Sequence, residues 1–355
     1  MIWATIEKAQ RLSRAVSGLD LAGLDARGRV LAHATFHRVN LAGACFAGAD
    51  LSQTHFVECD LSGVDFTHAT LHTTQFIQCR LPDTRWAAGE LLSLVQCELA
   101  GSQWGGAALE TSALMQCDLR GADFSASRLM RCVMLGGAAD GLRLNGARLE
   151  QVAIQDLDLG PVDLTGLDAD ASVLIGANLA GKALPGVRLA RCTLQGADFT
   201  ETDLSGAVLA GANCHQATFT GTRLPRLAGA GALMLAARWQ GVDARGADLS
   251  GAIFQEATLA DCLLDDAVLV KSVWRQATLA RVSFAGCDLT FAGFDHAQGD
   301  TLDFGRARLD HASLHNAAFT RAAWQDARRG SARGTDSFLL AAEAGLLAAP
   351  RAAAR

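Results

Sequence analysis

Every fifth residue of this chain is large and apolar, and that regularity excludes most folds. The series runs Leu31, Phe36, Leu41, Phe46, Leu51, Phe56, Leu61, Phe66, Leu71, Phe76, Leu81, Trp86, Leu91 without exception. The frame slips near 90–95, resumes at Leu94 and holds to Trp324; only Ala139, Ala169, Gly229, Ala244 and Gly299 are too small for the pattern. An α-helix repeats at about 3.6 residues and a strand at about 2, so neither produces this period. Around each large centre the neighbours are also patterned, as in ADLSQ (Ala49–Gln53), CDLSG (Cys59–Gly63), CDLRG (Cys117–Gly121), ANLAG (Ala177–Gly181) and ADLSG (Ala247–Gly251). A small residue stands two before the centre and a polar one just before it, with Ser, Thr, Ala or Gly after. Two inward residues in five predict a chain that turns a corner every five residues, with Gly, 36 in number against 5 Pro, suited to the tight bends.

The aromatic residues predict how many corners close a coil. Phe36–Phe56–Phe76, Phe46–Phe66–Trp86, Trp104–Phe124, Phe199–Phe219–Trp239, Phe254–Trp274–Phe294 and Phe284–Phe304–Trp324 are ladders with a step of 20, and Phe319 alone among the aromatic centres lacks a partner. Rings stack well on rings one strand spacing away, about 4.8 Å. The outward residues before the centres agree: Asp60/Arg80, Asp65/Arg85, Asp123/Arg143, Arg148/Asp168 and Asp203/Arg223 pair opposite charges at 20, with Arg128/Arg148 and Glu98/Asp118 the like-charged exceptions. Four sides of five residues, repeated over the whole pattern, give about fifteen coils.

The A(D/N)LXX unit resembles the signature of the pentapeptide-repeat proteins from about Val30 to Gln325. That resemblance implies an all-β solenoid, a right-handed quadrilateral β-helix of about fifteen four-sided coils with short terminal helices. The expected organisation is an N-terminal capping helix over 1–18, the β-helix over 19–327 and a basic linker with a C-terminal helix over 328–355. Within the β-helix a frame slip near 90–95, a Gly-rich disturbance at Leu135–Leu144 and an irregular stretch at 225–243 stand out. At the N-terminus Ile2, Trp3, Ile6, Ala9, Leu12 and Val16 share a helical face, with Gly18 as the stop. At the other end RRGSARG (Arg328–Gly334) reads as a flexible connector, and Ser337 as the cap of a helix from Phe338 to Ala349. Repeat proteins place specificity in their interruptions, so the expected partner-docking residues are Phe338, Leu339, Leu346 and Leu347 in the tail and Trp239 in the irregular stretch.

No chemistry-bearing constellation emerges. Eight of the 10 cysteines (Cys59, Cys79, Cys97, Cys117, Cys132, Cys192, Cys262, Cys287) occupy the small inward position, Cys214 is a centre, and no CxxC pair occurs. They read as core residues of a reducing compartment. None of the five histidines between His33 and His72 pairs with another at 20, and Asp295/His315 reads as one more ladder pair. Neither GxGxxG nor GxxxxGK[ST] is present. The expectation is therefore no enzyme, no cofactor and no metal.

A net charge of −6, with 19% charged residues and Arg interleaved among Asp, gives no footprint for direct nucleic-acid binding. No apolar run is long enough to span a membrane, and Glu7 and Lys8 interrupt any secretory leader, so the expected location is the cytoplasm. The reading that follows is a rigid protein–protein scaffold or adaptor in a bacterial cell. Resemblance to long bacterial members, in length, Ala/Leu/Gly/Arg-rich style and the GLDLAGLDARG lead-in (Gly18–Gly28), implies an accessory role in type VI secretion. The family also implies an alternative, a DNA mimic that binds DNA gyrase as a homodimer joined through the C-terminal helix; a structural tether is the third reading.

Overall fold

The unit's residue types build its corners. In the computed structural model, which describes residues 2–348 (of 345–348 the backbone only), the polar residue before each centre turns its carboxylate onto the backbone two residues later. Ser52, Ser62, Thr67, Ser125 and Ser250 each donate their N–H to the Asp two positions back at 2.8–3.0 Å. This Asx turn is the physical reason for Asp or Asn at that place. Two residues after the centre the backbone is left-handed. Gly occupies that position at Gly23 and Gly43, but Gln53 (φ 56°), Arg38 (φ 55°) and Lys271 (φ 59°) adopt it as well, so the corner does not require Gly. The residue two before the centre points inward, and when polar it bonds to the coil beneath: Thr54 Oγ1 and Thr74 Oγ1 donate to the carbonyls of Leu31 and Leu51 at 2.9 Å.

Coils built this way stack in register at 20, as Thr35–His37 on His55–Val57 on Gln75–Ile77. The result is an all-β solenoid of about fifteen turns, right-handed and four-sided, with helices α1 (Ile2–Arg11) and α2 (Ser337–Ala348). Its contacts divide into two units. The first, Met1–Leu179 with Val187–Thr193, carries an eight-stranded parallel sheet from Ala15–Ser17 to Ala153–Gln155 and a six-stranded one from Ala88–Glu90 to Arg188–Ala190. The second, Ala180–Gly186 with Leu194–Arg355, carries a six-stranded parallel sheet from Thr218–Thr220 to Ala318–Thr320. In the first unit α1 lies against the opening coil: Ile6 is fully buried, the Arg29 guanidinium sits 4.5 Å over the Trp3 ring, and Gln10 Nε2 donates to the Ala32 carbonyl at 2.5 Å.

The aromatic ladders stack as expected. Phe56 lies parallel to Phe36 at 5.1 Å and to Phe76 at 4.9 Å, and Phe46 meets it edge-on. Phe319, which has no aromatic centre at a step of 20, packs against Phe294 and Phe304 at 5.8 Å instead. The outward charges also meet: Arg80 pairs with Asp60 at 2.9 Å, Arg143 with Asp123, and Arg223 with Asp203 at 4.0 Å. Asp168 differs, since its partner is Arg188 (3.3 Å) rather than Arg148.

Several expectations are corrected. The slip is a coil of 18 residues, with Gln75 over Ser93, Arg80 over Glu98 and Arg85 over Gln103. Leu91 is therefore not a centre; it sits at a left-handed corner (φ 52°), 41% exposed, and Gly89 takes the inward place opposite Leu109. The short coil also joins two ladders, since Trp86 stacks on Trp104 at 4.2 Å. The ladder begins at Ala15 rather than 19, and it runs past 327: Arg328 bridges Arg308 and Arg333 bridges Ser313, so the expected linker is part of the last coil. Residues 225–243 form a regular coil with Leu227, Ala232, Met234, Ala237, Trp239 and Val242 inward. The missing outward polar residues had suggested irregularity, but backbone hydrogen bonds to the next coil hold the path without them. At Leu135–Leu144 the Gly-rich disturbance inserts no residue: the strand Val133–Ala138 keeps the step of 20, with Leu135 opposite Met115 and Gly137 opposite Cys117.

The tryptophans expose a local rule. Trp86, Trp104 and Trp274 each donate Nε1–H at 2.8 Å to the hydroxyl two residues before, Thr84, Ser102 and Ser272. Trp239 has Ala237 there, and its Nε1 is buried without a partner. An unsatisfied buried donor costs about 1–3 kcal/mol. Ala237→Ser is expected to raise the unfolding free energy by about 1 kcal/mol, read from the urea midpoint. An unchanged or lowered midpoint would show that the indole loses nothing by its isolation.

All ten cysteines are free thiols, nine buried and Cys45 half-buried. Burial pushes Cys192 and Cys262 up to about 11 and Cys287 up to about 12.

Candidate docking site at the C-terminal end

Helix α2 follows the last coil and is apolar around its whole circumference, SFLLAAEAGLLA, with Glu343 its one charged residue. Its cap is Asp336, not the expected Ser337: Asp336 Oδ1 accepts the N–H groups of Phe338 at 2.9 Å and Leu339 at 3.1 Å. A carboxylate there satisfies orphan N–H groups and faces the positive end of the helix. Of the residues expected to dock a partner, Phe338 is 88% exposed and Leu339 48%. Leu346 and Leu347 belong to the helix, but their side chains lie outside the described residues. Trp239 is 1% exposed in the core and offers no docking surface, because the stretch containing it is a regular coil.

The coil beside α2 is incompletely covered. Leu314, Phe319 and Trp324 stay half-buried where the equivalent centres elsewhere are dry. Arg329, in the next centre position, sets its guanidinium 4.9 Å over the Trp324 ring and so ends the Phe284–Phe304–Trp324 ladder with a charge.

One polar cluster ties α2 to the coils, and it was not foreseen from sequence. Glu343 Oε2 lies 3.1 Å from His296 Nε2 and 3.2 Å from His315 Nε2. The His315 bond, with that from His296, holds the Glu343 carboxyl below the usual carboxylate range. His315 is only 5% exposed; its Nδ1 accepts the Asp336 N–H at 3.1 Å, and Asn316 Nδ2 lies 3.0 Å from His296 Nδ1. The expected Asp295/His315 ladder pair does not form, since Asp295 accepts from Ser313 instead. The sequence signals were the steps of 20 from His296 to Asn316 and from Asp295 to His315; neither relates His296 to His315, and Glu343, on a helix outside the period, is invisible to a ladder rule.

A family model described as "Pentapeptide repeat region" matches residues 30–106, and one described as "Pentapeptide repeats (8 copies)" matches 188–224 and 236–266. The stretches 30–106, 188–224 and 236–266 carry pentapeptide repeats. A search of curated proteins finds no match. Among solved structures, the chain is similar to HetL, a pentapeptide-repeat protein involved in heterocyst differentiation regulation from the cyanobacterium Nostoc, with 24% identity over 68% of this chain and 89% of that one, TM-score 0.24. It is also similar to QnrB1, a plasmid-mediated fluoroquinolone resistance protein, with 17% identity over 75% and 97%, TM-score 0.24. A third is Rfr23 from the cyanobacterium Cyanothece, with 17% identity over 44% and 89%, TM-score 0.18. At such TM-scores the superpositions add nothing to what the strand ladders establish.

The short coil leaves a groove of about 450 Å³ in the first unit, lined by Leu71, His72, Gly89, Glu90, Leu109 and Glu110 among others. Both of its carboxylates are already paired: His72 Nδ1 lies 3.3 Å from Glu90, and Glu110 pairs with Arg131 outside the lining. Neither family model is of an enzyme. No helix among the described residues is long and apolar enough to cross a membrane.

Proposed function

We propose that this pentapeptide-repeat protein is a non-catalytic scaffold of the bacterial cytoplasm that holds a protein partner at its C-terminal end. The observation that carries this reading is α2, a helix apolar on all sides with Phe338 88% exposed. A helix of that composition is ordinarily buried, and beside it the last coil keeps Phe319 and Trp324 half-open. A second copy of the chain, meeting through α2, would cover both. Mimicry of DNA is disfavoured by charge: Arg and Asp alternate up the ladders and also pair within a coil, as Arg27 with Asp25 and Arg245 with Asp243 at 2.8 Å, which cancels any continuous acidic stripe. The place in type VI secretion implied by resemblance draws no support from the comparisons.

Ending the chain after Gly334 tests the reading and leaves the coil through Arg333 intact. The expected result is a far-ultraviolet spectrum that loses only the contribution of the 12-residue helix, with loss of the dimer mass in light scattering or of the protein captured from native lysate by the full chain. The double variant Phe338→Ser, Leu339→Ser should behave the same way. A truncated protein that keeps both mass and partner would remove α2 from the function; one that aggregates would make it an edge cover.

A further inference from the structure

We propose that His296, His315 and Glu343 form a three-ligand site for a borderline divalent cation of the zinc class, which pins α2 to the last coils. Three features support it. The donor set is two imidazoles and a carboxylate, a combination that zinc accepts with an open position left for water. The donor atoms all lie within 4.8 Å of one another, and the carboxylate oxygen stands 3.1 and 3.2 Å from the two Nε2 atoms. Tetrahedral coordination with bonds of about 2.0–2.1 Å places ligand atoms about 3.3 Å apart, so little movement is needed along those two edges. The burial is also graded: His315 is 5% exposed while His296 and Glu343 are reachable from solvent, so an ion can enter and keep a water.

The hydrogen bonds around the cluster define what binding must change. Because the Asp336 N–H donates to His315 Nδ1, the metal-free imidazole carries its proton on Nε2 and gives it to Glu343. Coordination through Nε2 moves that proton to Nδ1 and releases the N–H of Asp336, the residue that caps α2. At His296 the demand is lighter, since rotating the Asn316 amide presents its oxygen to an Nδ1–H. The ion therefore replaces two hydrogen bonds to Glu343 with metal bonds and reshapes the first turn of α2. The inference is independent of what α2 docks against.

The full chain, stripped with chelator and titrated with Zn²⁺ alone in a calorimeter, is expected to bind one equivalent at this site. His315→Ala and Glu343→Gln should each weaken that binding at least about 100-fold, and His296→Ala, at a half-exposed corner that tolerates the change, should weaken it as well. His311→Ala, an exposed histidine stacked on Phe291 outside the cluster, should leave it unchanged. Hydrogen exchange should slow in the α2 amides on adding Zn²⁺ to the wild type and not to His296→Ala. No binding by the wild type, or binding that survives in the His296→Ala, His315→Ala double variant, would overturn the site and leave the cluster as a hydrogen-bonded clamp.

Discussion

Replacing Phe56 by alanine is expected to cost about 3–5 kcal/mol, because it empties the middle of a stacked column. Phe56 is fully buried between Phe36 and Phe76, and Phe46 packs edge-on against it, so no solvent and little rearrangement can fill the space. A solenoid's coils depend mainly on their neighbours. The loss should thus appear as an early transition of the first unit in a urea titration, followed by circular dichroism, with the second unit melting later. Phe291→Ala removes an exposed ring at a corner and should cost less than about 1 kcal/mol. Equal effects of the two substitutions would show that the column is not where the stability resides.

Gly137→Ala should be worse, at about 4 kcal/mol or more, and is expected to yield little soluble protein. At φ 106° this backbone is closed to side chains, and a Cβ there would stand 2.0 Å from the carbonyl oxygen of Cys117. The neighbouring Gly136 is the control. Its φ is 60°, and an added Cβ would meet only Gln116 Cγ at 3.7 Å and the Asp156 carbonyl at 4.0 Å, so Gly136→Ala should cost about 1–2 kcal/mol. Comparable soluble yield and melting temperature for the two variants would mean that the strand at Gly137 relaxes to admit a methyl group.

The period, the four sides and the ladder partners were legible in sequence because they rest on local chemistry repeated many times: an Asx turn, a left-handed corner and a ring upon a ring. Chance errors in one unit, such as Ala169 or Gly229 in a centre, are outvoted by the rest. Leu91 was misplaced because a large apolar residue fits the count there, and only strand pairing shows that the coil had already shortened before it. Trp239 reads from sequence both as a ladder ring and as a docking residue, the latter because the polar residues around it are absent; the backbone path sets it inward. Arg328–Arg333 looked like a linker since its composition is basic and Gly-containing, yet its carbonyls and amides still found the coil beneath. The site at the C-terminal end was half-legible. Apolar composition announced Phe338 and Leu339, whereas the junction of His296, His315 and Glu343 arises where a periodic structure meets a helix that does not share its period.

The short coil has a wider implication. Each column of side chains passes through it once with a step of 18, at Phe76 to Leu94, Arg80 to Glu98, Arg85 to Gln103 and Trp86 to Trp104, and then returns to 20. A missing pair of residues is therefore not carried forward as an error: each coil takes its alignment from the one it rests upon, not from a count along the chain. Such a molecule can gain or lose residues at a corner in the course of descent and mend itself within one layer. What the loss leaves behind is a notch in one wall, a place where novelty can be tried without disturbing the inheritance above and below it.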